Sequence, residues 1–183
     1  MYEKIRNILL LFLALVIVFK FYLPKFFKTD QYDGPGYSLK IPIGWEKQKI
    51  NSNVYGKDVE AVTFTVPEIN TITEQPVARI TILAKRLTAA FWVEDEFPSI
   101  LQSISENGYQ IMDRGEIKIS DQISKWVVFY DKRTDLMELE FYMVTESNIF
   151  YRIQYVTDFD KFQKYRPGFE YLKDSFKVKI GLF

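Results

Sequence analysis

The chain of 183 residues contains neither cysteine nor histidine. Their absence excludes Ser-His-Asp and Cys-His catalysis and the usual zinc and copper ligand sets. It also excludes disulfides, so the fold must rest on its core, and a lipoprotein signal, which needs a cysteine at its cut. Charge of either sign in excess is lacking too, with 24 basic and 24 acidic residues. With Glu3, Lys4, Arg6, Lys20, Lys25 and Lys28 set aside, 19 basic and 23 acidic residues remain, near −4. A weakly acidic domain lacks the concentrated positive charge that phosphate backbones require, so no nucleic acid partner is expected. No internal repeat or low-complexity tract occurs.

What the chain does have is an apolar start. Ile8–Phe19 reads ILLLFLALVIVF, with Lys4 and Arg6 before it and Lys20, Lys25 and Lys28 after it. A basic start and an apolar middle serve both a cleaved signal and an anchor. The bulky, basic Lys20-Phe21-Tyr22-Leu23-Pro24 that follows offers no small-residue cleavage site. Ile8 to Leu23 spans roughly 24 Å as a helix, short of a hydrocarbon core of about 30 Å. A helix from Tyr2 to Leu23 spans it, with Lys20 snorkelling and Tyr22, Phe26 and Phe27 at the interface. The expectation is an uncleaved, single-pass anchor over residues 1–23, contacting lipid through residues 5–23. A cleaved signal and a surface-lying helix are the alternatives. The short basic N-terminus favours a domain outside the cytoplasm, periplasmic or at the cell surface. Residues 24–36 carry the turn residues of a tether, and residues 37–183 are one domain's length of chain.

Within that domain the hydrophobic period changes. Tyr37–Ile41, 61–66 and 78–85 alternate as strands. Residues 46–59 and 67–76 are loop-like. Phe97, Ile100, Leu101 and Ile104 form a helical stripe, with Glu94, Asp95 and Glu96 near its positive end. Pro98 is expected in its first turn and Asn107-Gly108 at its stop. Tyr109–Ile119, Ile123–Tyr130, Leu136–Thr145 and Asn148–Thr157 read as strands joined by turns, hence an antiparallel meander. Phe159, Phe162 and Tyr165 mark a helix, Pro167 the start of a second short one with Phe169 and Leu172, and Phe176 and Val178 a last extended piece. The class is α+β: an antiparallel sheet of about six strands sandwiched with helices, behind an N-terminal transmembrane helix.

Two stretches carry a family resemblance. GYSLKIPIGW, Gly36–Trp45, is similar to the opening strand of the PsbP-like group, with its proline and tryptophan. FDKFQKYRPGFEYLKDSFKV, Phe159–Val178, is similar to its closing helix, which ends in Asp-Ser-Phe. The element order over roughly residues 36–180 resembles that group as well. The resemblance implies an α/β sandwich and a non-enzymatic, extracytoplasmic accessory or assembly factor of a membrane complex. The histidines that some members use for metal are lacking here.

Candidates for chemistry are few. Asp131, Asp135, Glu138 and Glu140 could gather oxygen ligands for calcium, but a one-sided sheet with alternating exposed charges, paired with Lys125, Lys132 and Arg133, explains them better. Glu94-Asp95-Glu96 suits a helix dipole before an acid/base role. Ser120 and Ser124 near Lys125 lack a nucleophile elbow. No cofactor and no metal site is expected. Among aromatics, Trp45, Tyr55, Trp92 and Trp126 could line a partner surface, with core packing as the alternative. Trp45, Tyr55 and Trp92 are the binding candidates, Tyr55 on the polar loop 48–57. The expectation is a tethered binding module with a protein partner. The alternatives are a carrier of a lipid or small apolar ligand, and a hydrolase using carboxylates alone.

Overall fold

Among the described residues, two sheets and two helices build the domain. The computed structural model describes residues 30–48, 58–89 and 91–179. The anchor expected over residues 1–23 and Tyr55 lie outside the described residues. No helix among the described residues is long and apolar enough to cross a membrane.

Strands β1 (Gln31–Gly34) and β2 (Tyr37–Lys40) form a hairpin, joined by β10 (Lys177–Val178) into a three-stranded sheet. β1 falls inside the stretch expected to be a tether. Its alternation is hidden by turn residues on both sides, and Gly36 at φ 71° makes the reversal. A seven-stranded antiparallel sheet follows: β3 (Glu46–Gln48), β4 (Val59–Thr65), β5 (Ala78–Arg86), β6 (Gln110–Ile119), β7 (Gln122–Asp131), β8 (Leu136–Val144) and β9 (Ile149–Asp158). Its order is β3-β4-β5-β9-β8-β7-β6. β3 corrects the loop expected over 46–59; three exposed residues leave no apolar alternation to read. The meander β6–β9 forms as the periodicity predicts, and β5 pairs with its last strand, β9, leaving its first strand, β6, at the sheet's end.

Helix α1 (Val93–Glu106) and helix α2 (Phe162–Ser175, led in by a 3-10 turn at Phe159–Lys161) pack on opposite faces of the large sheet. The alternation of β8 shows this. Leu139, Phe141 and Met143 point to α2's Phe169 and Leu172, while Tyr142 between them points to α1's Val93, Phe97 and Ile104. The α2 side also takes the small sheet through Tyr37, Leu39 and Phe176. Tyr151, pushed up to about 12 by burial, donates its hydroxyl to the Gly36 carbonyl at 3.1 Å and ties the two sheets.

Both prolines sit deeper than expected. Pro98 is the sixth residue of α1, and Pro167 lies inside α2, which is one continuous helix rather than two. Each still falls near its helix start, where only one interior N–H is lost, and apolar packing on the far side outweighs that loss. Gly108 at φ 83° follows the Asn107 C-cap of α1, as its Asn-Gly pair predicts.

Candidate functional site

Each helix covers only part of its face of the large sheet. α1 packs on β6, β7 and β8. Its flank, with Ser99, Ile100, Ser103 and Ile104, and the uncovered floor of β8, β9 and β5 enclose a groove of about 680 Å³. Apolar walls come from Tyr109, Phe129, Leu83 and Phe150; the floor carries Glu138, Glu140, Tyr142, Arg152 and Gln154.

Register brings this floor together. Glu140 faces Gln154 and Tyr142 faces Arg152 across the β8–β9 ladder. Glu140 is 1% exposed. Its carboxylate accepts from the Arg152 guanidinium, from the Tyr142 hydroxyl and from Gln154 Nε2 at 2.9 Å. The same Gln154 amide donates to Glu138 at 2.8 Å. Burial, and then the neighbouring Glu140 charge, push the Glu138 carboxyl above the ordinary range. Burial likewise raises the Tyr142 hydroxyl well above its usual value, which keeps it a donor to Glu140. Arg152 stands partly open to the groove, and its buried Nε has no hydrogen-bond partner among the described residues.

This arrangement corrects the exposed-charge reading of Glu138 and Glu140. They face the groove beside α1, and Glu140 pairs with Arg152, not with Lys125, Lys132 or Arg133. The rest of that acidic group is dispersed. Asp131 is bonded by Arg133 at 3.0 Å, which holds its carboxyl low, and Asp135 accepts from the Tyr130 hydroxyl at 2.7 Å. Lys125 pairs with Glu116. Adjacent Ser124 therefore faces the other side of the sheet, while Ser120 Oγ accepts from the Val178 N–H at 2.9 Å. Glu94, Asp95 and Glu96 stand exposed in the first turn of α1. No group of three or more acidic residues among the described residues is placed to hold a metal ion.

The aromatic candidates do not converge. Trp45 is buried, edge-on to Tyr165 with centroids 6.2 Å apart, and its indole lies against Gly168 of α2. Trp92 is 68% exposed at the N-cap of α1, on the opposite face, beside a hollow lined by Asp121, Ile123 and Asn148. Trp126 is partly buried over Gly115. Arg152 and Gln154 were not legible as site residues. A signal existed: β9 alternates apolar residues with Arg152 and Gln154 in a strand long enough to be central, next to a strand that carries the equally odd Glu138 and Glu140.

No protein-family model matches the chain, and no curated protein matches it in sequence. Solved structures do match in fold. The solution structure of cyanobacterial PsbP (CyanoP) from Synechocystis sp. PCC 6803 aligns with a TM-score of 0.56 at 12% identity, over 81% of this chain and 91% of that one. LpqN of Mycobacterium tuberculosis, described as involved in cell envelope biogenesis, aligns with a TM-score of 0.61 at 12% identity, over 85% and 94%. A protein of unknown function from Pseudomonas aeruginosa, PA94, aligns with a TM-score of 0.53 at 14% identity, over 78% and 91%. The domain thus has the α+β fold of these structures, the PsbP-like fold that the resemblance implied.

Proposed function

We propose that this chain is a non-enzymatic binding module. Residues 1–23 hold it at a membrane, its domain stands outside the cytoplasm, and a protein partner docks in the groove beside α1. The observation that carries this reading is the self-contained floor of that groove. Glu140 spends both carboxylate oxygens on Arg152, Tyr142 and Gln154, so the strongest polar cluster braces a surface instead of presenting a free acid or base. A hydrolase using carboxylates alone needs two acids facing each other across a cleft, about 5–10 Å apart. Glu138 and Glu140 lie side by side on one strand and share one amide. A lipid carrier needs an apolar cavity, whereas this groove has a charged floor. The fold shared with CyanoP and with an envelope-biogenesis protein, together with the apolar N-terminus, supports the extracytoplasmic setting.

The test uses the full chain with a C-terminal tag and a photo-crosslinker at Ser103, whose side chain lines the groove. Protease added to spheroplasts should remove the tag while the protein stays in the membrane fraction. Crosslinking in intact cells should give a discrete product from Ser103 and none from Glu170 of α2, on the opposite face. A protected tag refutes the location; products equal from both positions refute the groove.

A further inference from the structure

β6 is an outer strand of the large sheet, and among the described residues it has a neighbour on one side only. Gln110, Met112, Asp113, Arg114, Glu116, Ile117 and Lys118 along it are exposed. A long open edge is a template for another strand. The Arg114 N–H is bonded by the carboxylate of Asp113 at 2.8 Å, so it points away from β7. By strand alternation the Glu116 and Lys118 N–H groups do too.

We propose that the partner of this edge is a second copy of the same chain, paired antiparallel about a twofold axis at Gly115. The charge order specifies that register. About Gly115, Arg114 of each copy falls opposite Glu116 of the other, on the α1 face. Both residues present their backbone groups outward, so each Arg114–Glu116 pair exchanges two N–H···O bonds and one ion pair. Lys125 already holds Glu116 from behind, so each row reads Lys125, Glu116 and then Arg114 of the second copy. Gly115 opposite Gly115 becomes the close, non-hydrogen-bonded pair, with Cα atoms about 4.5 Å apart. Trp126 lies over Gly115 on the other face, where a Cβ would come within 2.8 Å of its ring. The two indoles thus flank the axis and extend one apolar surface across it. The β-bulge between Ile111 and Asp113 limits pairing to residues 113–117. Asp113 must also release the Arg114 N–H, which keeps the association reversible.

Sedimentation equilibrium of the full chain in density-matched detergent, over a concentration series, tests this. The expected result is a monomer–dimer equilibrium. R114E and E116R each weaken it about tenfold or more, since each reverses both symmetric pairs. An equal mixture of the two variants associates within about threefold of the original, because an acidic edge then meets a basic one. D113A, which frees the Arg114 N–H, tightens the dimer several-fold. Circular dichroism of each variant should be unchanged. A chain monomeric throughout, a dimer indifferent to all three substitutions, or a mixture no better than its components overturns the proposal.

Discussion

Replacing Arg152 by methionine removes the cation from a carboxylate that is 1% exposed while keeping most of the side chain's apolar bulk. Breaking a buried ion pair by deleting one partner costs about 3–5 kcal/mol. Two features lower that figure here. The Arg152 side chain is 34% exposed, so water reaches the vacated space, and Gln154 and Tyr142 still donate to Glu140. R152M should therefore cost about 2–3 kcal/mol. E140Q keeps the shape and leaves the arginine able to turn to water, so it should cost about 1–2 kcal/mol. The double variant should cost less than the sum by at least about 1 kcal/mol, because the second change removes a group already stranded. Urea unfolding followed by far-ultraviolet circular dichroism reads all three. A cost under about 0.5 kcal/mol for R152M, with additive doubles, would mean that Glu140 is solvated and the braced floor does not exist.

Three further outcomes follow from the same packing. G168A should destabilise by about 1–2 kcal/mol, although alanine is the better helix former by about 1 kcal/mol; its Cβ would stand 2.6 Å from Trp45 Nε1, and a raised melting temperature would show that α2 does not press on the indole. Burial raises Glu138 in the folded state, so between its unfolded and folded values the native protein holds a proton that the unfolded chain has released. Stability should fall as pH rises above about 4.3. E138Q should flatten that slope and raise the neutral-pH melting temperature while changing little at lower pH, and equal shifts at both pH values would contradict the assignment. A chain beginning at Asp30 should unfold cooperatively; one beginning at Tyr37 lacks β1 and the edge contact of Tyr32 on Phe64, centroids 5.6 Å apart. It should lose about 2–3 kcal/mol, and equal melts would make β1 dispensable.

Local pattern alone determined much of this protein. Period-two alternation, with the turn residues between the strands, located β4–β9 to within a residue or two, because successive side chains of a strand point to opposite faces. The stripe from Phe97 to Ile104 located α1, and Asn107-Gly108 its end. The missing histidine and cysteine excluded whole classes of chemistry before any fold was considered. The elements that escaped are those whose partners are distant in sequence. β1 and β3 have few buried side chains and exist because β2 and β4 lie beside them. Pro167 reads as a helix start, yet α2 runs through it because Phe162, Phe169 and Leu172 all dock on one apolar face. Trp45 reads in sequence as core or as a surface anchor, and Gly168, far along the chain, is what places it in the core. The largest change concerns Glu138 and Glu140. On β8 alone they look like the wet side of a strand. Only the register that sets Gln154 across from Glu140 and Arg152 diagonally beside it, and the packing of α1 beside them, turns that side inward and makes the charges one bonded cluster. Burial of a charge depends on what the rest of the chain places around it, and tertiary structure alone decides that.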